Sequence, residues 1–219
     1  MKSVADRRGI PIVEDAAEAL GSIYKGKRAG KFGVGSVFSF HRTKTITTSE
    51  GGMLLLDDEK LYERCMLLRD LGRGPNTKPY LNEEVAYKYM PFSLQAAMGY
   101  AQFQRLDELI ARKRWMYDTY RKCLGDIEDL EFNTDPPEGF NGVWITALVF
   151  GKSHGLTKQE AMDRLRHLGL PVRPFFYPLS CIPAYQGMEA LYRPKNPRAY
   201  DISSRGINLP CAFILTEEL

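Results

Sequence analysis

The chain has 219 residues, 44% of them hydrophobic and 26% charged, which is the composition of a soluble globular protein of one large or two modest domains. A formal net charge of +3, with acids and bases interleaved as in "LDELIARKRWMYDTYRKCLGDIEDLE", argues against a nucleic-acid partner. No apolar run approaches the roughly 20 residues of a membrane span, and the N-terminus has no apolar core of signal-peptide length, so the cytoplasm is the expected compartment.

In chain order, "MKSVADRRG" reads as the end of a helix stopped by Gly9, and "IPIVED" as a short buried strand ending in two acids. "GSVFSF" is a second strand of the same kind and "GGMLLLDD" a third, the rhythm of a parallel α/β sheet. "DEKLYERCMLLRDLG" is an amphipathic helix closed by Gly72, and "RGPNTKPYLNEEVAYKYMP" a long irregular segment of the kind found at functional or interface positions. Leu94, Ala97, Met98, Ala101, Leu106, Leu109 and Ile110 recur at helical spacing, which predicts one long helix from Ser93 to about Leu124. "GVWITALVF" is then a strand, "TKQEAMDRLRHLG" a helix with Thr157 at its N-cap, and "PVRPFFY" extended chain. The change of pattern puts a boundary near Met90. Residues 1–90 would be part of a parallel-sheet domain and residues 91–219 a long helix with a small α+β domain. The chain opens in mid-rhythm, a sheet of three strands is a poor domain, and "LTEEL" reads as a helix start, so missing or exchanged strands are expected.

Cys65, Cys123, Cys181 and Cys211 lie far apart with no C-x-x-C pair, and the three histidines have no metal-ligand spacing, which predicts free thiols and no metal. The chemistry is expected at the carboxyl ends of the strands, where open α/β sheets bind ligands. Asp15 ends "IPIVED", and Ser39 and Lys44 follow the end of "GSVFSF", so the three can converge on one crevice. An aspartate beside a pyridine nitrogen favours its protonated form. A lysine in a partly desolvated site can form a Schiff base, and the two together suit pyridoxal phosphate. Plainer readings stand beside these: Lys44 as a solvated loop lysine, Asp15 as a helix N-cap, Ser39 as a strand-end hydroxyl bonded to backbone. Trp115 and Trp144 read as core residues, and His154 and His167 as surface ones.

Taken in order, "VEDAAEALGS", "GSVFSFHRTKTITTSEGGML", "YKYMPFSLQAAMGYAQFQRLDE", "RPFFYPLSCIPAY" and "RGINLP" resemble the nucleotide-sugar aminotransferases, fold-type I pyridoxal-phosphate enzymes, over essentially the whole chain. "RPFFYPLS" and "RGINLP" look most like the perosamine-synthase branch, which aminates 4-keto-6-deoxyhexoses carried on a nucleotide. The resemblance implies that Lys44 forms the Schiff base and shuttles the proton, that Asp15 pairs with the pyridine nitrogen, and that Ser39 binds the phosphate. Glu18 stands where the family often has a glutamine near the ring hydroxyl. Lys88 stands where members reach across a homodimer to the partner's phosphate, often with an asparagine, and Ser180 where many have a histidine. His41, Arg42, Arg173 and Tyr177 are candidate substrate contacts. The implied substrates are an amino-acid donor such as glutamate and a nucleotide-linked keto-sugar. A sugar dehydratase of the same fold is an alternative, though such relatives typically carry histidine in place of Lys44. The family's preceding segment, with a Gly-Thr phosphate-binding turn and an aromatic that stacks on the ring, is not in this sequence. A truncated chain that folds or self-associates without cofactor is therefore a further alternative.

Overall fold

In a computed structural model, residues 1–216 are described. The helices are α1 (Lys2–Arg7), α2 (Glu59–Arg69), α3 (Ser93–Phe103), α4 (Leu106–Leu124), α5 (Lys158–His167), α6 (Met188–Tyr192) and α7 (Pro197–Arg205). The strands are β1 (Val13–Asp15), β2 (Ile23–Tyr24), β3 (Lys27–Arg28), β4 (Gly35–Ser39), β5 (Gly52–Leu56), β6 (Leu130–Phe132), β7 (Gly139–Phe140), β8 (Ala147–Phe150), β9 (Arg173–Pro174) and β10 (Gly206–Asn208). They form two compact units, Met1–Ile110 with Pro136–Trp144, and Ala111–Asp135 with Ile145–Leu219. The first unit thus continues past Met90 and takes in a distant segment around β7. The "LTEEL" helix start lies largely outside the described residues.

In the first unit β4 is central, with β1 on one side and β5 on the other. β1 runs parallel to β4 with Asp15 level with Val37, while β5 runs antiparallel with Gly52 opposite Ser39. The expectation of a third parallel strand is therefore corrected. A parallel return needs a crossover of about a dozen or more residues, usually a helix. Residues 40–51 contain no helix and fold back on themselves, so β5 can only return antiparallel.

The parallel pair is tied by Glu14. Its carboxylate accepts from the backbone N–H groups of Gly30 and Gly33, both at 2.8 Å, and from that of Phe32. This draws the segment before β4 against β1. A Cβ at Gly33 would lie 2.3 Å from the Ile12 carbonyl oxygen, so only glycine allows the approach.

The predicted long helix is broken between Phe103 and Leu106. Its ladder tightens there, with Arg105 N–H donating to Gln102 O at 3.0 Å. The Gln102 side chain bonds both backbone groups of Thr47, accepting at 3.0 Å and donating at 2.7 Å, and so fastens the end of α3 to the loop after β4. The strand expected over "GVWITALVF" is shortened to β8 as well. Val143 N–H donates to Asn141 Oδ1 at 2.9 Å and Val143 has φ +49°, so the chain turns before the strand starts. A β-branched residue in that region is strained, at a cost of order 1–3 kcal/mol.

The second unit is an antiparallel sheet in the order β6-β8-β10-β9, carrying a core of Leu148, Met162, Val172, Ile207 and Leu209. Thr157 caps α5 as expected, accepting from Glu160 N–H at 3.3 Å while the Glu160 carboxylate accepts from Thr157 N–H at 2.8 Å. Lys113 on α4 is only 4% exposed and donates to the Cys211 carbonyl at 2.6 Å. Burial holds its ammonium below the ordinary lysine value of 10.5, against the opposing effect of Cys211.

In the window between that lowered value and 10.5 the unfolded chain binds more protons at this position than the folded one, so stability rises with pH. The urea midpoint of the wild type is therefore expected to gain on that of Lys113→Met as the pH rises toward 10.5. Parallel curves for the two proteins would show that Lys113 carries no such linkage.

Candidate active site

The loop from Phe40 to Gly51 presents the lysine, and its hydroxyl residues explain how. Phe40 N–H donates to Gly51 O at 2.8 Å and Thr48 N–H to Phe40 O at 2.9 Å, closing the loop at its base. Thr47 Oγ1 donates to Phe40 O at 3.1 Å and Thr48 Oγ1 to Glu50 O at 2.8 Å. Thr45, Ile46 and Thr48 are buried and anchor it. A Cβ at Gly51, at φ +153°, would fall 2.4 Å from Thr48 Oγ1. The run of threonines is therefore internal stitching, and Lys44 is the residue held out from it. Lys44 N–H itself donates to His41 O at 2.9 Å, closing the turn that carries the lysine.

The side chain of Lys44 is only 13% exposed, which sets aside the reading as a solvated loop lysine. Its Nζ lies 3.1 Å from Glu18 Oε1 and 4.0 Å from the centre of the Trp144 ring. The Trp144 indole N–H donates to the Thr43 carbonyl at 2.7 Å, so one side chain both fixes the turn and supplies a wall for the ammonium. The reading of Trp144 as core is corrected: it is partly buried and packs on the lysine. Val143, bent into the left-handed region, immediately precedes it. No local spacing in the sequence announces this contact, which joins residues 101 positions apart at its Thr43 end.

Asp15 and Ser39 stand at the carboxyl ends of the paralleled strands, as expected. Ala16 N–H donates to Val37 O at 2.9 Å and carries the ladder one residue past Asp15. Asp15 is exposed and its Oδ1 accepts from Ala17 N–H at 3.1 Å, which makes it the first residue of an Asx turn rather than a helix cap. Ser39 Oγ accepts from His41 N–H at 3.3 Å, the backbone role open to any strand-end hydroxyl. The His41 ring lies 3.0 Å from Thr43 Oγ1 through Nδ1 and 3.5 Å from Glu50 Oε1 through Nε2. Arg42 is exposed.

The remaining candidates stand elsewhere. Lys88 pairs with Asp70 through both a β-bridge and its ammonium, which holds the Asp70 carboxyl below the usual carboxylate range. In the second unit, Arg173 is exposed on β9 opposite Asn208. Tyr177 lies under Lys158, whose Nζ is 4.0 Å from the ring centre and donates to Phe175 O at 3.1 Å. Ser180 Oγ lies 2.7 Å from Tyr200 OH. Among the described residues no group of three or more His, Cys, Asp or Glu side chains could hold a metal, and no helix is long and apolar enough to cross a membrane.

Lys44 thus has its ammonium over an aromatic face with its side chain mostly buried, and Asp15 ends the neighbouring strand. The sequence matches the DegT/DnrJ/EryC1/StrS aminotransferase family over residues 1–219. The chain belongs to this family. It is 35% identical over 215 residues to the GDP-perosamine synthase of Escherichia coli O157:H7, covering 98% of this chain and 57% of that protein. It is 33% identical over 217 residues to EpsN of Bacillus subtilis (strain 168), named a putative pyridoxal phosphate-dependent aminotransferase, covering 99% of this chain and 55% of that one. Its fold overlays the aminotransferase TlmJ of Streptoalloteichus hindustanus with a TM-score of 0.85 at 26% identity, covering 99% of this chain and 57% of that one. The chain thus spans a little over half the length of the family relatives it matches. The mixed α/β fold is the corresponding part of a fold-type I sugar aminotransferase.

Trp144→Leu removes the indole donor and the wall under Lys44 together. It is expected to lower stability by about 2 kcal/mol in urea unfolding and to speed hydrogen exchange at the Lys44 amide. Trp144→Phe, which keeps a ring face, is expected to fall between. Unchanged exchange at Lys44 in the leucine variant would show that the indole does not hold the turn.

Proposed function

We propose that this chain carries the lysine side of a pyridoxal-phosphate site that moves an amino group from an amino acid, glutamate being the expected donor, to a nucleotide-linked keto-sugar. The observation that carries the reading is the placement of Lys44, mostly buried beyond the end of β4 with its ammonium against Trp144 and Glu18. Family membership supports the cofactor class. The "RPFFYPLS" stretch and the 35% identity to a protein named GDP-perosamine synthase support a 4-keto-6-deoxyhexose as the sugar.

Lys44 and Asp15 supply the chemistry that the cofactor's aldehyde and pyridine ends would need. Lys44 Nζ would hold it covalently and afterwards carry a proton to and from the reacting carbon. The Asp15 carboxylate, exposed at the strand end, would keep a proton on the pyridine nitrogen. Ser39 Oγ, which accepts one N–H here, still has its own proton to donate to a phosphate oxygen. When bound, pyridoxal phosphate supplies an electron sink for carbanion chemistry. His41, Arg42, Arg173 and Tyr177 are the proposed substrate contacts. Lys88 would reach a partner's phosphate in a homodimer by exchanging its Asp70 contact for it. A dehydratase reading is disfavoured by the lysine at position 44.

The test is retention of cofactor. After mixing with pyridoxal phosphate and removing the excess, the wild type is expected to keep a visible absorption that borohydride fixes permanently to Lys44. Lys44→Ala is expected to lose it. A wild type that retains no cofactor would favour a chain that folds without it and whose function belongs to a longer assembly. Retention by Lys44→Ala at the wild-type level would refute the assignment of the lysine.

A further inference from the structure

Lys44 and Glu18 form an unequal pair. The lysine side chain is 13% exposed and the glutamate side chain 51%. The backbone beneath Glu18 is fixed, because Ala16 N–H is bonded to Val37 O at 2.9 Å and Ala19 N–H to Ala16 O at 3.0 Å in the turn after β1. Its carboxylate is thus tethered at a set distance from the lysine yet faces solvent and can swing away. The same ammonium lies 4.0 Å from the centre of the Trp144 ring. The nearby imidazole of His41 is engaged with Thr43 and Glu50.

We propose that Glu18 is a positioning residue that latches Lys44: its carboxylate, 3.1 Å from Nζ, with the Trp144 face, engages the lysine in a contact that a carbonyl ligand must open. This rests on the reading of Lys44 as the cofactor lysine. An ammonium has no lone pair. To bond a carbonyl carbon, Lys44 must lose a proton to water or to Glu18. The nitrogen then adds to the carbon, and the carbonyl oxygen leaves as water. A glutamine at this position would hydrogen-bond the lysine without the opposite charge. A half-exposed ion pair is weak, which is what a latch that must open requires. It is also screened by salt, which a purely structural contact is not.

The test measures Lys44 reactivity without any cofactor. The full chain is labelled with formaldehyde and a borane reductant, and the methylation rate of each lysine is read by peptide mass spectrometry. At low salt Glu18→Gln is expected to raise the Lys44 rate about two- to fivefold, the span that a half-exposed pair can supply. Glu18→Asp, shorter by one methylene, is expected to fall between. Lys25, paired with Glu138 at 3.1 Å, serves as the internal reference and is expected not to change. Raising the salt to about 0.5 M is expected to bring the wild type up toward Glu18→Gln. An equal or slower Lys44 rate in Glu18→Gln would overturn the latch, and so would a faster rate with no salt dependence in the wild type. Because no cofactor takes part, failure here is distinct from failure of the wild type to retain pyridoxal phosphate.

Discussion

The first unit depends on one carboxylate that receives three backbone amides. Glu14 projects from β1 and gathers the N–H groups of Gly30, Phe32 and Gly33. Hydrogen bonds to a charged acceptor are among the stronger ones available to a protein. They draw the approach to β4 against β1, and the parallel register follows from that closure. Register places the candidate site, because it sets Asp15 level with Val37 and brings the ends of both strands to the same edge. The loop after β4, sewn by its own threonines, then delivers Lys44 beyond that edge.

A second constraint comes from far along the chain. The segment around β7 returns to pair with β2, Ile23 opposite Phe140, and continues through the bend at Val143 to Trp144. The strain at Val143 and the indole bond to Thr43 belong to one arrangement: the chain turns sharply so that an aromatic wall meets the lysine. The lysine consequently meets residues from two separate stretches, Glu18 and Trp144.

Much of this was legible in the sequence, for reasons that differ from residue to residue. Lys44 stood out through the order of the motifs around it, because a lysine between an apolar strand and a double glycine reads by itself as a solvated loop residue. Asp15 was legible because an apolar run that stops on two acids marks a strand end. Which acid did what was not: Glu14, the structural one, and Asp15, the candidate functional one, differ only in which way alternate side chains point, and the pattern has no reference for that. The direction of β5 was hidden because alternation and β-propensity carry no polarity. The break between α3 and α4 was hidden because the apolar spacing runs on through it, while its cause is a glutamine bonded to a distant loop. The Trp144 contact was out of reach because it depends on long-range closure.

Lys44 and Asp15 are proposed to address opposite ends of one cofactor. A crystal structure of this chain grown with pyridoxal phosphate tests it most directly. The predicted result is continuous density from Lys44 Nζ to the cofactor's aldehyde carbon, with the Asp15 carboxylate within hydrogen-bond distance of the pyridine nitrogen. Cofactor joined to another lysine, or joined to Lys44 with its pyridine nitrogen away from Asp15, would contradict it.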